Sequence, residues 1–181
     1  QILSDAGILY AKKSDKNNIS VNLGKLSTAW DKIPLSEDMD SLNIPINING
    51  LSKGIAVNIG NPHCVFFTDN IDNINLNVIG PKIENHKLFP KKTNVEIIQI
   101  INKRKIKMKV WERGVGITLA CGSGACASVY ASQLKNLVSN NVEVELERGS
   151  LFINIVHVAI EVFLTNVLKL NCFGGLIKFK L

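Results

Sequence analysis

Short runs in which apolar and polar residues alternate recur along most of the chain, the period of strands that bury one face. Ile19, Val21 and Leu23 alternate with polar neighbours, and residues 8–11 and 19–23 predict a hairpin around the polar segment 12–18. Residues 25–49 show no period and carry Pro34, Pro45 and the acidic cluster Glu37, Asp38 and Asp40, so that stretch predicts irregular chain. Residues 54–59 and 64–67 predict strands on either side of a Gly60-Asn61-Pro62-His63 turn. Residues 74–86 predict a short helix broken near Gly80-Pro81, because proline is at home in a first helical turn. Residues 95–101 and 105–112 predict a second hairpin across Asn102 to Arg104, with Ile106, Met108 and Val110 alternating with lysines. Three more alternating runs, at 142–146, 151–155 and 158–164, precede Gly174-Gly175 and a final strand to Leu181.

One stretch breaks this rhythm. In WERGVGITLACGSGACAS, residues 111–128, a strand gives way to small residues, after which Ala125, Val129, Ala131, Leu134 and Leu137 recur at roughly helical spacing. Many short strands with one helix in mid-series predict an α+β fold, a closed or nearly closed sheet wrapped around that helix. Cys121 falls at the mouth of the helix.

Composition narrows the function classes. The chain has 181 residues, 46% hydrophobic and 20% charged, enough for one domain with a substantial core. No apolar run approaches the roughly 18 residues of a spanning helix and no secretory leader opens the sequence, so no membrane and a cytoplasmic location are expected. The net charge of +6 raises the question of nucleic acid. Only Arg104, Arg113 and Arg148 among 21 basic residues are arginine, and the lysines are scattered or alternate along a strand; no nucleic-acid partner is expected. Cys64, Cys121, Cys126 and Cys172 form no C-x-x-C pair, so reduced thiols without metal are expected.

Cys121 carries the chemistry. The first amides of a helix lack intrahelical partners and that end is positive, which lowers a thiol pKa from about 8.5 to about 3.5–7.5. The amides of Gly122, Ser123 and Gly124 would then serve as a cradle for a substrate carboxylate. The alternative is a buried structural cysteine that caps the helix. His63 offers a base that tunes a thiol and Glu112 a carboxylate that holds an ammonium group; the plainer readings are a structural histidine and an ion pair with Arg113. Cys64 and Cys126 read as core, with Cys64 facing opposite His63, while Cys172 and His157 carry no signal. His86, at the end of a helix, complements the helix dipole.

Three segments together resemble the diaminopimelate epimerase family: GNPHCVFF at 60–67, FPKKTNVEIIQI at 89–100, and WERGVGITLACGSGACAS, in the family's order and at similar spacing. The resemblance implies two similar barrels of mostly antiparallel strands, each around a central helix, with the active site between them. This chain would contribute remnant strands of the first domain at 1–22, the second barrel at 23–167, and a strand returning to the first domain at 168–181. It implies a cofactor-independent epimerase that interconverts LL- and meso-diaminopimelate by proton transfer between two thiols, serving lysine and peptidoglycan synthesis. Cys121, His63 and Glu112 would be catalytic; Asn61, Asn94, Glu112, Arg113, Gly122 and Ser123 would bind substrate; no cofactor or metal is called for. The family's other cysteine motif would lie upstream of Gln1, so a missing amino-terminal domain is an expected partner and the chain alone is expected to be inactive. Orphaned strand edges leave homodimers open. The sequence departs from the family pattern at Ile117, where members usually have Glu, and in the turns at 147–149 and 165–167. Two alternatives stand beside this reading: a non-catalytic remnant that binds an amino-acid dicarboxylate, and a proline-racemase-like isomerase of the same fold.

Overall fold

The computed structural model of the chain describes residues 1–4, 7–15, 18–156 and 161–165. The expected segment 168–181 with its last strand, His157, Cys172 and the Asn166-Val167 part of the altered turn lie outside the described residues. The strands are β1 (Ile2–Ser4), β2 (Gly7–Asp15), β3 (Asn18–Lys25), β4 (Ile55–Asn58), β5 (Pro62–Phe67), β6 (Asn94–Asn102), β7 (Lys105–Glu112), β8 (Gly116–Thr118), β9 (Asn141–Leu146), β10 (Gly149–Val156) and β11 (Glu161–Thr165). The helices are α1 (Leu76–Glu84) and α2 (Gly122–Leu134), with a single 3-10 turn at Ile71–Asn73.

The eleven strands of the described residues join one sheet in the order β1-β2-β3-β11-β10-β9-β7-β6-β5-β4, with β8 paired to β7 off that path. Two pairings, β5 with β6 and β7 with β9, are parallel, so the sheet is mixed and only mostly antiparallel. It curls until the chain just past β3 meets β4: Ser27 and Asn58 exchange backbone hydrogen bonds of 2.9 and 2.8 Å. That bridge draws the ends of the curl together around α2. The α+β half-barrel with a central helix matches the sequence expectation. No helix among the described residues is long and apolar enough to cross a membrane.

Alternation sorts side chains between the two faces. Ile106, Met108 and Val110 of β7, Val142, Val144 and Leu146 of β9, and Leu151, Ile153 and Ile155 of β10 point inward onto α2. The lysines of β7 stay outside, where Lys105 meets Glu145 at 2.7 Å. A second apolar cluster fills the opposite face of β4 to β6, with Cys64, Phe66, Val95 and Ile97 packed under Ile79 and Ile83 of α1. The irregular stretch after β3 lids this cluster with Ile33, Leu35, Ile44 and Ile46. Each such side chain, fully buried, is worth about 1.5–3 kcal/mol.

Two expectations need correction. The helical spacing runs on to Leu137, but α2 ends at Leu134 and is buried nearly all round from Gly124 to Val129. Surrounded by sheet, it needs small side chains everywhere rather than a stripe, and Gly124, Ala125, Ala127 and Ser128 meet that need. The break expected at Gly80-Pro81 is absent: α1 runs unbroken with Pro81 inside it. Pro81 forfeits only the bond to the carbonyl of Asn77, an exposed residue that water serves.

Gly80 is held by contact. A β-carbon there would stand 2.5 Å from the indole of Trp111, whose Nε1 donates to Glu84 Oε2 at 2.7 Å. Alanine in a helix normally gains up to about 1 kcal/mol over glycine; here overpacking, at about 1–3 kcal/mol, should win. Gly80→Ala is therefore expected to lower the urea midpoint, and a variant as stable as the parent would refute this packing.

Candidate active site

Strand register gathers the polar residues at one end of the half-barrel. On β5 and β6, paired with His63 opposite Asn94, the inward positions are His63, Asn94 and Glu96; on β7, Glu112 follows Val110 on the inward face. Cys121 caps α2 in extended conformation, at φ −140° and ψ 114°. Its Sγ accepts from the Gly124 amide at 3.4 Å and lies 3.4 Å from the Ser123 hydroxyl. Gly122 and Ser123 are half-buried, and their amides belong to the first turn, beyond reach of any intrahelical carbonyl.

His63 and Glu96 are wholly buried, with Nδ1 of the ring 2.7 Å from Glu96 Oε1. Nε2 faces Asn61 Oδ1 at 2.8 Å, and Asn61 itself is half-buried at the turn before β5. Glu112 accepts from the Thr118 hydroxyl at 2.5 Å across the β7–β8 pair. Asn94 is a staple: its Nδ2 donates to the Pro62 carbonyl at 2.8 Å and its Oδ1 accepts from the Arg113 amide at 2.9 Å. One N–H and one lone pair remain on that side chain for a ligand. The Arg113 guanidinium is exposed and donates to the Lys91 carbonyl at 3.2 Å. Glu84 fixes the same loop from below by accepting from the Gly114 amide at 2.8 Å.

The structure thus brings His63, Glu112 and Cys121 together with Asn61, Gly122 and Ser123, and ties Asn94 and Arg113 to their edge. Cys64 and Cys126 lie apart, completely buried in the two apolar clusters. Ile117 is exposed on β8 and lines a groove of about 670 Å³ together with Lys107, Lys109 and Glu145. The Glu147 and Arg148 turn between β9 and β10 is exposed.

The sequence profile of the family described as Diaminopimelate epimerase matches residues 55–168, the span that holds every one of these side chains. The chain belongs to the diaminopimelate epimerase family. Named relatives agree: the diaminopimelate epimerase of Pelagibacter ubique is 43% identical over 85% of this chain and 58% of its own length. That of the Wolbachia of Brugia malayi is 49% identical over 81% of this chain and 57% of its own. The chain spans a little over half the length of these curated relatives. Among solved structures, a Bacillus anthracis phenazine biosynthesis protein of the PhzF family overlaps 57% of this chain and 34% of its own at 17% identity and a TM-score of 0.43.

One expectation about this family site is reversed. The helix start was expected to acidify the Cys121 thiol; instead burial pushes it up to about 12, with the charge of Glu112 and then of Glu96 adding to the rise. The Ser123 and Gly124 hydrogen bonds pull the other way and are outweighed. Burial likewise raises Glu112, and the Glu96 charge reinforces it against the Thr118 hydrogen bond and the nearness of His63. Cys121 in this arrangement is a thiol.

Sequence reasoning missed Glu96. A signal was present, since NVEIIQI places one acid among apolar positions on the face of β6 that meets the central helix. It also missed Glu84, whose burial follows from α1 packing rather than from any motif.

The buried thiols bear on alkaline stability. A pKa raised on folding contributes stability that is complete below the unfolded value and lost as pH climbs through the folded one. For Cys121 that window runs from about 8.5 to about 12. By pH 10 the loss from this one group should be about 2 kcal/mol. Urea midpoints measured at pH 7.5, 9 and 10 should fall for the parent and fall less steeply for Cys121→Ala; parallel declines would contradict the assignment.

Proposed function

We propose that this chain carries one half of the proton-transfer site of a cofactor-independent amino-acid epimerase that interconverts LL- and meso-diaminopimelate. Inversion at an α-carbon removes a hydrogen from one face and returns one to the other, so two groups of opposite protonation must flank the carbon. Cys121 is the donor: its thiol gives a proton to one face of the carbanion. An opposing base, expected on an amino-terminal domain, takes the α-hydrogen from the other. In the return direction the roles exchange, with Cys121 thiolate as base.

The observation that carries this reading is the Cys121 sulfur at the mouth of α2, gathered with His63 and Glu112 in a chain of the diaminopimelate epimerase family. Charge that grows on the substrate carboxylate during deprotonation would be met by the Gly122 and Ser123 amides, which supports faster reaction rather than tighter ground-state binding. Glu112, Asn61 and Asn94 suit the α-ammonium side, and the exposed fork of Arg113 suits the distal carboxylate. Such a step belongs to cytoplasmic lysine and peptidoglycan-precursor synthesis.

Deuterium wash-in at the α-carbon, followed by mass spectrometry on LL- and meso-diaminopimelate, tests the proposal with this chain alone and with a family amino-terminal domain supplied. Exchange is expected in the combined preparation, abolished by Cys121→Ala and kept within about twofold by Cys126→Ala. Equal loss from both variants would remove Cys121 from its role. No exchange in the combined preparation, with retained binding of the diacid, would favour the remnant reading.

A further inference from the structure

Glu96 has no assigned part in the reaction proposed above, yet it is the most costly side chain in the site. It is fully buried on β6, and while Oε1 meets the His63 ring, Oε2 has no hydrogen-bond partner among the described residues. An unpartnered buried carboxylate oxygen costs more than an apolar side chain of similar size in the same place. Its placement is tight: a β-carbon on Gly124 would lie 2.6 Å from Glu96 Oε1 and 3.3 Å from Cys121 Sγ. The acid therefore rests against the first turn of α2, and those two distances bound its gap to the sulfur at about 6 Å, within the range over which one charge alters a neighbour's ionisation. The ionisable groups on its own face are His63 from β5, Glu112 from β7 and Cys121 from the start of α2; Cys64, on the other face of β5, also feels its charge.

We propose that Glu96 is a positioning residue: it anchors His63 through Nδ1, leaving Nε2 turned toward Asn61, and sets a fixed negative charge behind the Cys121 sulfur. The ring then carries an N–H at Nδ1 toward the carboxylate, while Nε2 faces Asn61 Oδ1 at 2.8 Å. Behind the sulfur, the charge adds to burial and to Glu112 in favouring thiol over thiolate. The role rests on the proposed epimerase reading for its purpose, because a fixed charge there makes Cys121 a donor when protonated and, once it has given its proton to substrate, a strong base for the return step. Gly124 is part of the device, since only a residue without a side chain leaves room for the carboxylate.

Two measurements on the chain test this without turnover. In the unaltered chain, the nitrogen-15 shifts of His63 between pH 7 and 8 should report a protonated Nδ1; a bare Nδ1 would overturn the anchoring role. In Glu96→Gln, which keeps the shape and an acceptor for Nδ1, alkylation of Cys121 by iodoacetamide at pH 8–9 should quicken about tenfold, read by peptide mass spectrometry. Cys126, whose thiol is raised by burial and then by Cys121 and not by Glu96 directly, is the internal reference and should not quicken. An unchanged rate at Cys121, or an equal rise at Cys126, would refute the electrostatic role. If wash-in fails while tautomer and alkylation behave as expected, the epimerase reading falls and the placement of Glu96 stands.

Discussion

A helix whose first two turns carry almost no side-chain thickness, enclosed by a curled sheet, is the constraint on which the rest of this molecule depends. Gly124, Ala125, Ala127 and Ser128 are all buried, and the inward strand residues close on them from β7, β9 and β10. Larger side chains along α2 would force the sheet open. Because the helix is held on its flanks, its first turn has a fixed place, and the cap residue is carried to the end of the half-barrel where β5, β6 and β7 present their polar inward positions. Packing, more than any hydrogen bond within the site, decides where the sulfur is.

That same enclosure determines the electrostatics. A helix terminus in water acidifies a thiol, but here the terminus is submerged and flanked by two carboxylates, so desolvation and like charge outweigh the amides. The polar cluster is economical where it touches backbone, as in the Asn94 bonds, and costly at the uncompensated oxygen of Glu96. Buried polar groups in this state stiffen a site and expose it to large effects from single substitutions.

Much of this was legible in the amino acids. Strand positions followed from alternation, because one face of nearly every strand is apolar, and the helix cap followed from the change to small residues after Ala120. His63, Glu112 and Cys121 were accessible through their motifs, although their convergence depends on the parallel pairing of β5 with β6, which no local pattern encodes. Glu96 was hidden because an acid in a strand reads as surface until register shows that it faces the helix. The continuity of α1 through Pro81 was hidden for a different reason: the one backbone bond the proline removes falls on an exposed carbonyl, so the local breaker costs little. The direction of the Cys121 shift needed burial, a property of the assembled sheet and not of the helix end.

Asn94 joins two segments that are otherwise separate, the carbonyl of Pro62 in front of His63 and the amide of Arg113 behind Glu112. A side chain of this size cannot stretch, so the turn that presents Asn61 and the loop that presents Arg113 keep a common spacing. The two segments are thereby coupled like the jaws of a calliper locked at one opening, a spacing fixed by a single amide rather than by the strands on either side.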